Sequence, residues 1–423
     1  MDKYLIKGGT RLEGKVRVSG AKNAALPILA ATLMTGDECV VEGVPDLKDI
    51  HTMVQLLRNL GVEVTCEGTS VRTRVVNEDL CEAPYKLMKT MRAGFCVLGP
   101  LLGKRKRARV SLPGGCSIGP RPVELHLKGL QALGADIPVC EGGYVESEVE
   151  RLRGTEMYLG GPYGSTVLGT ANVLMAAVLA EGGTVIEGAA IEPEIQDLCR
   201  FLVCMGARIH GIGTHRLEVD GVGSLHGTRY RIIPDRIEAG TFMVAGAITR
   251  GEVEVDNVYT DHLLSVMDTL RNLGVTVEKT QSGMGCKISV DQELRPQDIY
   301  TLPYPGVPTD MQAQIMAFLC TVPGASVVHE KVFPDRFIHV AELNRMGARI
   351  SQEGAGALIH GGRPLSAAPV QASDLRAGAA LVLAGMAASG TTELDRIYHL
   401  DRGYSRFEEK LNSLGAGIER VKA

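Results

Sequence analysis

The chain has 423 residues, of which 45% are apolar, and this length exceeds what one ordinary core accommodates, so we expect two or three domains. A formal charge of -4, from 45 basic and 49 acidic residues, argues against a general nucleic-acid binder, and the absence of Trp leaves few side chains on which bases stack. The start lacks the apolar core of a signal peptide and no apolar run reaches the roughly 18 to 20 residues of a membrane span, so we expect a cytoplasmic protein with no nucleic-acid or membrane partner.

The ten cysteines are spaced irregularly and include no Cys-x-x-Cys pair. This pattern is typical of reduced thiols and favours neither a disulfide framework nor a zinc site.

One unit recurs six times along the chain. In each copy a helical segment ends in Leu or Met and is followed by Gly and then Val or Ala; these glycines are Gly61, Gly134, Gly206, Gly274, Gly347 and Gly415. Each copy begins with a more apolar helix that also stops at a glycine before a β-rich strand; these stops are Gly36, Gly103, Gly182, Gly251, Gly324 and Gly390. We predict a helix-strand-helix-strand unit of roughly seventy residues, with the glycines as left-handed helix caps.

Six such units are too many for one core, so three plus three predicts an α/β fold of two domains. We place the N-terminal three-repeat domain at residues 22–232 and the C-terminal one at 233–423, with the break near Gly227 to Ile233. The first strand, within residues 1–21, is expected to complete the sheet of the C-terminal domain.

The second unit carries an insertion. From Gly103 to Gly134 is 31 residues, against 23 to 25 in the other five units. We place the surplus in the loop Pro113–Arg121, because the strand Ala108–Leu112 keeps its register. The glycines and prolines of this loop exclude a helix or a central strand. The loop also carries Cys116, and we predict that it forms a lid.

Cations recur at the turn that begins the second helix of a unit. Four units place one there: Lys48, Arg121, Arg336 and Arg402. The starts of the first helices are polar as well, and we expect Thr309 or Asp310, and Ser373 or Asp374, to be N-caps. Helix N-termini already present positive potential, so cations at several of them indicate a ligand with more than one anionic group in a shared cleft.

The chain resembles the UDP-N-acetylglucosamine enolpyruvyl transferases over essentially its whole length. Eight ordered motifs carry the resemblance: Ser19–Ala24, Met91–Ala93, Pro113–Pro122, Pro234–Phe242, Pro308–Gln314, Phe337–Leu343, Asp374–Gly378 and Asp401–Tyr404. The resemblance implies two inside-out α/β barrel domains, each of three similar units. It also implies transfer of the enolpyruvyl group of phosphoenolpyruvate to the 3′-hydroxyl of UDP-N-acetylglucosamine, with release of phosphate, as the committed step of bacterial peptidoglycan synthesis. No metal or cofactor is implied, and we expect a monomer.

The resemblance also implies residue roles. Lys22, Arg121 and Arg402 would hold the phosphate and carboxylate of phosphoenolpyruvate, with help from Arg336 and Arg376. The remaining substrate contacts would come from Asn23, Lys48, Arg92, Pro122, Val123, Glu124, Leu125, Ser165, Thr166, Val167, Asp310 and Val332, of which Lys48 is included for its place in the repeat.

For the chemistry, Cys116 would be the general acid, Asp310 a base, and Asp374 a base on elimination, with Lys22 and Arg402 stabilising charge. A thiol of low pKa is also a nucleophile, so we expect fosfomycin to alkylate Cys116.

Two places depart from the family pattern. In Gly161–Thr170, Thr166 replaces a serine hydroxyl and Leu168 stands where Gly is expected, and near Val332 the pair Pro334-Asp335 precedes Arg336. Three alternatives stay open: a 3-phosphoshikimate enolpyruvyl transferase, a family that lacks the Cys loop; a non-catalytic nucleotide-sugar sensor of the same fold; and an RNA-processing enzyme of related architecture, which the net charge disfavours.

Overall fold

The computed structural model describes residues 2–113 and 123–422. The α-helices in these ranges are α1 (Lys22–Ala31), α2 (Lys48–Asn59), α3 (Tyr85–Met88), α4 (Leu98–Pro100), α5 (Glu124–Ala132), α6 (Val167–Val178), α7 (Pro193–Cys204), α8 (Arg236–Ile248), α9 (Leu264–Asn272), α10 (Gln312–Leu319), α11 (His339–Arg345), α12 (Leu375–Ala387) and α13 (Phe407–Ser413). None of the helices in these two ranges has both the length and the apolar character that crossing a membrane requires.

Twenty-six strands lie in the same ranges. They are β1 (Asp2–Lys7), β2 (Glu13–Arg17), β3 (Cys39–Glu42), β4 (Val62–Glu67), β5 (Ser70–Val75), β6 (Glu82–Ala83), β7 (Arg107–Ser111), β8 (Val139–Cys140), β9 (Tyr144–Glu148), β10 (Glu156–Tyr158), β11 (Gly160–Gly161), β12 (Gly164–Ser165), β13 (Gly183–Glu187), β14 (Arg208–His210), β15 (Arg216–Asp220), β16 (Arg229–Arg231), β17 (Glu252–Asp256), β18 (Thr276–Lys279), β19 (Gly285–Ser289), β20 (Ile299–Thr301), β21 (Gly324–Glu330), β22 (Ile350–Glu353), β23 (Gly356–Gly361), β24 (Pro369–Gln371), β25 (Thr391–Asp395) and β26 (Gly417–Lys422).

The chain divides into two compact units. Among the described residues, the inserted unit comprises 20–113 and 123–233, and the terminal unit comprises 2–19 and 234–422. Each has its own hydrophobic core. The described residues of each unit form three four-stranded sheets, and the inserted unit adds the small hairpin of β11 and β12.

The first five repeats contain more strands than the sequence predicted. After the second helix comes an antiparallel hairpin instead of a single strand, as with β4 and β5 or β22 and β23. A further short strand then runs parallel to the central strand of another sheet. The strands that follow the hairpins are short and polar, for example the three residues of β16, and so give little periodic signal.

Both units close on themselves through these short strands. In the inserted unit β6 joins the sheet of β7, β10 that of β13, and β16 that of β3. In the terminal unit β2 joins β17, β20 joins β21, and β24 joins β25. The first strand, β1, lies between β25 and β26, so the sixth repeat is completed by the N-terminus of the chain.

The first helix of each repeat lies inside its unit. Every residue of α8 and of α10 is buried, and both helices pack against α12. In the inserted unit α1, α6 and the helical segment from Arg92 to Arg105 pack together. A helix surrounded on all sides needs no polar face, which explains why these segments are mostly apolar, whereas α2 and α7 outside them are amphipathic.

Glycine caps were predicted correctly at nine of the twelve positions. All six glycines after the second helices have positive φ, from 78° to 102°, as do Gly182, Gly324 and Gly390. The prediction is wrong at Gly36, Gly103 and Gly251. In the fourth repeat Arg250 takes the left-handed conformation, and Gly251 is needed because a Cβ there would lie 2.1 Å from the carbonyl oxygen of Leu12.

The insertion in the second repeat is divided between two places. The helical chain continues through Gly103 as a π-helical segment to Arg105, so β7 begins only at Arg107. Part of the surplus therefore precedes the strand, and placing all of it in the Pro113–Arg121 loop was wrong. The remainder lies between Ser111 and Glu124, and most of that loop, residues 114–122, lies outside the described residues.

Candidate active site

Asp310 lies between two guanidinium groups in the terminal unit. It belongs to a 3₁₀ turn, Thr309–Met311, that leads into α10. Arg336 Nη1 donates to Asp310 Oδ1 at 2.8 Å, and Arg376 donates to Oδ2 through Nη2 at 2.9 Å and Nε at 3.2 Å. The two arginines are only 5% and 3% exposed. Two buried guanidinium groups thus bind one carboxylate, and Arg376 Nη1 has no hydrogen-bond partner among the described residues, which suits it to an anionic ligand.

The arginines determine the protonation of this cluster. Burial by itself would raise the pKa of Asp310, but Arg376 and Arg336 outweigh it and hold that pKa well below its usual range. Burial opposes the charge of Arg376, yet Tyr404, Asp310 and Asp235 together raise its pKa. Asp310 is therefore ionised, with both oxygens engaged, and it is a weak base in this arrangement.

One predicted pair of helix caps is right and the other is wrong. Asp374 is the N-cap of α12, and its Oδ1 accepts the backbone N–H groups of Arg376 at 2.8 Å and Ala377 at 3.1 Å. Neither Thr309 nor Asp310 caps a helix, since both side chains bind Arg336 instead. Asp374 therefore orients the helix turn that presents Arg376.

A buried polar network that the sequence did not reveal supports the arginines. The Tyr404 ring lies 5.3 Å from the Arg376 guanidinium carbon, and its hydroxyl lies 2.9 Å from Thr241 Oγ1. Gln314 Nε2 donates to Thr241 Oγ1 at 3.1 Å and to the carbonyl of Asp310 at 2.9 Å. The sequence signal for this network was the pair of glutamines, Gln312 and Gln314, at the start of the otherwise apolar α10.

The inserted unit presents a second cationic cluster. Lys22 is the first residue of α1, and its Nζ lies 3.2 Å from Oδ2 of Asp49 in the first turn of α2. Their side chains are 11% and 7% exposed. Asn23 and Lys48, also in first helical turns, are exposed.

Arg92 is the first residue of a 3₁₀ segment, and its charge acts on His126 in α5. Burial, and secondarily the charge of Arg92, lower the pKa of His126 to about 3. His126 is therefore neutral, and its Nδ1 accepts from Asn172 Nδ2 at 2.9 Å. Glu124 and Leu125 immediately precede His126 in this helix, after Val123, its N-cap residue.

Thr166, which the sequence predicts to contact the ligand, also has a structural role. It is the N-cap of α6, where its Oγ1 accepts the N–H of Gly169 at 3.3 Å. Its hydroxyl thus serves the helix, with Ser165 in β12 before it and Val167 as the first helical residue.

The remaining predicted site residues are placed less fully. Val332 follows β21, and Arg402 ends the 3₁₀ turn Ile397–Arg402. Cys116, Arg121 and Pro122 lie outside the described residues. In the part of the chain that the structure covers, no three His, Cys, Asp or Glu side chains are grouped as metal ligands would be.

Known proteins resemble this chain in sequence and in fold. The family model of EPSP synthase (3-phosphoshikimate 1-carboxyvinyltransferase) matches residues 6–411. The UDP-N-acetylglucosamine 1-carboxyvinyltransferase of Methylacidiphilum infernorum is 52% identical over 100% of this chain and 99% of its own length. UDP-N-acetylglucosamine 1-carboxyvinyltransferase 2 of Carboxydothermus hydrogenoformans is 53% identical over 100% of both chains.

Two solved structures share the architecture. The enolpyruvyl transferase NikO from Streptomyces tendae matches with a TM-score of 0.90 and 25% identity, over 100% of this chain and 99% of that one. EPSP synthase from Acinetobacter baumannii matches with a TM-score of 0.78 and 22% identity, over 100% of both, which is a likeness of fold alone. With its six repeats, its two inside-out units and full-length relatives above 50% identity, the chain belongs to the enolpyruvyl transferase family and, within it, to the UDP-N-acetylglucosamine 1-carboxyvinyltransferases.

Proposed function

We propose that this protein transfers the enolpyruvyl group of phosphoenolpyruvate to the 3′-hydroxyl of UDP-N-acetylglucosamine and releases phosphate, the committed step of bacterial peptidoglycan synthesis. The observation that carries the proposal is the pair of buried guanidinium groups that share the single carboxylate of Asp310. The names of the curated relatives supply the acceptor, a UDP-sugar. A 3-phosphoshikimate acceptor has less support, because the EPSP synthase structure is only 22% identical.

The anionic groups of the substrates go to the cationic side chains. We assign the phosphate and carboxylate of phosphoenolpyruvate to Lys22, Arg121 and Arg402, with Arg336 and Arg376 contributing. The two buried guanidinium groups beside Asp310 support the last two assignments. Fixed cations of this kind stabilise negative charge as it moves onto the leaving phosphate, with no reorganisation at the moment of reaction.

The reaction needs a proton donor and a proton acceptor. In the addition, a proton from Cys116 goes to C3 of phosphoenolpyruvate while the sugar oxygen bonds to C2 and gives up its own proton, which Asp310 accepts. In the elimination, the bond from C2 to the phosphate oxygen breaks and C3 loses a proton to the second base, Asp374. An anionic substrate that engages Arg336 and Arg376 weakens their hold on Asp310, so its pKa rises towards the range a base requires.

Phosphate release tests the assignment of the substrates. We expect release from phosphoenolpyruvate with UDP-N-acetylglucosamine and none above background with shikimate 3-phosphate. Release with shikimate 3-phosphate alone would support the alternative enzyme, and release with neither acceptor would favour a nucleotide-sugar sensor.

Substitution of the proposed acid tests the mechanism. Cys116→Asp keeps a proton donor but removes the nucleophilic sulfur. We expect the variant to retain phosphate release and to resist fosfomycin, measured as residual activity after preincubation with the inhibitor. If Cys116→Asp loses activity to fosfomycin as fast as the unsubstituted protein does, the role of Cys116 is refuted.

A further inference from the structure

Glu330 occupies an unusual place among the acidic residues that end the central strands. Five of the six repeats, all within the described part of the chain, finish this strand with an acid: Glu42, Glu187, Asp256, Glu330 and Asp395. In four of them the preceding residue is buried and the acid itself is half-buried, which places the acid on the opposite face of the strand. Glu330 instead follows the half-buried His329 and is 1% exposed.

The register of β21 turns Glu330 inward. Ser326, Val328 and Glu330 alternate along the strand and are all buried, so they share one face. Three of the four outward acids form ion pairs with arginines on neighbouring strands: Glu42 with Arg229, Glu187 with Arg216, and Asp256 with Arg17. Glu330 forms no ion pair with any residue that the structure describes. A buried carboxylate without a cation is costly unless its oxygens accept several hydrogen bonds.

Both oxygens of Glu330 are used, and they contact two different features of the candidate active site. Oε1 accepts the backbone N–H groups of Val332 at 2.8 Å and Phe333 at 2.9 Å, which fixes the turn after β21. Oε2 accepts the hydroxyl of Thr309 at 2.9 Å. The turn is where the sequence placed a contact to the UDP-sugar, at Val332.

Thr309 continues the chain of contacts to the arginine cluster. Its Oγ1 also accepts from Arg336 Nη1 at 3.0 Å, and that same nitrogen donates to Asp310 at 2.8 Å. An unbroken hydrogen-bonded path therefore runs from the backbone of Val332 through Glu330 and Thr309 to Arg336. The path lies entirely within the terminal unit.

We propose that Glu330, acting through Thr309, is a positioning residue that fixes the turn at Val332 and the guanidinium of Arg336 in one arrangement. The inference rests on the proposed function, since it assigns the turn to the UDP-sugar and Arg336 to the anionic group of phosphoenolpyruvate. Glu330 touches neither substrate and acts only through these groups. Binding of the UDP-sugar at the turn thereby influences the side chain that receives phosphoenolpyruvate.

Two substitutions distinguish the two parts of the path, from Glu330 to the turn at Val332 and from Thr309 to Arg336. In Glu330→Gln one carboxylate oxygen becomes an NH₂ group, so the single remaining oxygen accepts either from the two N–H groups or from the Thr309 hydroxyl, and more weakly than a carboxylate does. We expect the KM for UDP-N-acetylglucosamine to rise about tenfold. Thr309→Val leaves the turn intact but removes the contact to Arg336. We expect kcat/KM for phosphoenolpyruvate to fall about tenfold, while the KM for the UDP-sugar changes less than about twofold.

Controls distinguish positioning from general damage. Thr309→Ser keeps the hydroxyl and should restore most of the loss seen in Thr309→Val. Glu353→Gln, at the exposed end of β22 in the same sheet, should leave both parameters unchanged. Glu330 reaches the guanidinium of Arg336 through Thr309, and it reaches the backbone of Arg336 through the turn, where the Arg336 N–H donates to the carbonyl of Phe333 at 3.0 Å. If the route through Thr309 carries the effect, the double variant should show the same phosphoenolpyruvate defect as Thr309→Val alone.

Hydrogen exchange measures the contact between Glu330 and the turn without requiring catalytic turnover. The amides of Val332 and Phe333 should exchange faster in Glu330→Gln and at the original rate in Thr309→Val. The proposal is overturned if both variants change the two kinetic parameters equally, or only in proportion to the folded fraction measured by thermal unfolding, or if the two amides are unaffected by Glu330→Gln. A protein that shows the exchange pattern but no phosphate release would refute the proposed function and leave the hydrogen-bonded path standing.

Discussion

At the scale of single residues, Asp310 combines a structural and a chemical role. As the carboxylate shared by Arg336 and Arg376, it neutralises charge that would otherwise be buried without a partner. The same contacts lower the pKa of Asp310, so the side chain proposed as a base is only weakly basic in the free protein. In the proposed mechanism, release from the arginines would make it reactive.

This arrangement predicts how stability responds to the loss of the charge. Asp310→Asn leaves two buried guanidinium groups facing a neutral amide, and we expect it to lower the free energy of unfolding by about 3 kcal/mol at pH 7. Because the pKa of Asp310 is depressed in the folded protein, its contribution is present above the unfolded pKa of about 3.9 and is lost as pH falls through the folded value. The difference between the two proteins should therefore be constant from about pH 5 upward and shrink in stronger acid.

Urea unfolding at a series of pH values measures this difference. Asp261→Asn is a matched control, because Asp261 pairs with Lys279 on the surface, where such pairs contribute little. Equal stability of Asp310→Asn and the original protein at pH 7 would contradict the assigned role.

At the scale of secondary-structure elements, α7 is tied to the strand that closes the inserted unit. Asp197 of this helix accepts the hydroxyl of Tyr230 in β16 at 2.6 Å and the N–H of Ile233 at 3.1 Å. Burial raises the pKa of Asp197 to about 6, although both hydrogen bonds oppose the shift. The closing strand β16 is thus bound by a buried carboxyl group whose ionisation destabilises the folded protein.

The raised pKa predicts a stability that falls towards neutral pH. The contribution of Asp197 is full below its unfolded pKa of about 3.9 and is lost as pH rises through about 6. A shift of about two units corresponds to about 3 kcal/mol. Asp197→Asn cannot ionise, so we expect it to escape this loss. The free energy of unfolding of the variant, minus that of the original protein, should therefore increase from pH 4 to pH 7. Denaturant unfolding at both pH values measures this difference. The exposed Asp220→Asn should follow the original protein, and parallel pH profiles for Asp197→Asn and the original would count against the interpretation.

At the scale of the whole molecule, the two units differ in how the chain completes them. All strands of the inserted unit come from one continuous segment, whose ends meet where Ala21 N–H donates to the carbonyl of Ile233 at 2.8 Å. The terminal unit needs β1 in the middle of one sheet and β2 at the edge of another.

This difference predicts which fragment folds. A fragment of residues 20–233 should unfold cooperatively on heating, because its sheets and its core are complete. A fragment of residues 234–423 should not, since the loss of β1 separates β25 from β26 and leaves their backbone groups unpaired. Circular dichroism melting curves compare the two, and addition of residues 1–19 as a peptide should restore a transition to the second fragment. A cooperative transition of residues 234–423 alone would contradict the expectation.

The sequence by itself determined the repeat. Helix periodicity and glycine caps are local properties of the sequence, and the same pattern occurs in all six copies. It also marked Lys22, Arg336, Arg376 and Asp374, since charges at helix starts stand out against apolar helices. The short closing strands escaped prediction because three polar residues carry too little pattern.

Only the tertiary structure decided the partners of those charges. Asp310 meets Arg336 and Arg376 across 26 and 66 residues of sequence, and their contact depends on how α10 packs against α12. The same holds for Glu330, whose inward direction follows from the register of β21 within its sheet. Local sequence sets the conformation of each segment, whereas distant side chains meet only after the segments have packed, so the candidate active site could be listed from the sequence but not assembled from it.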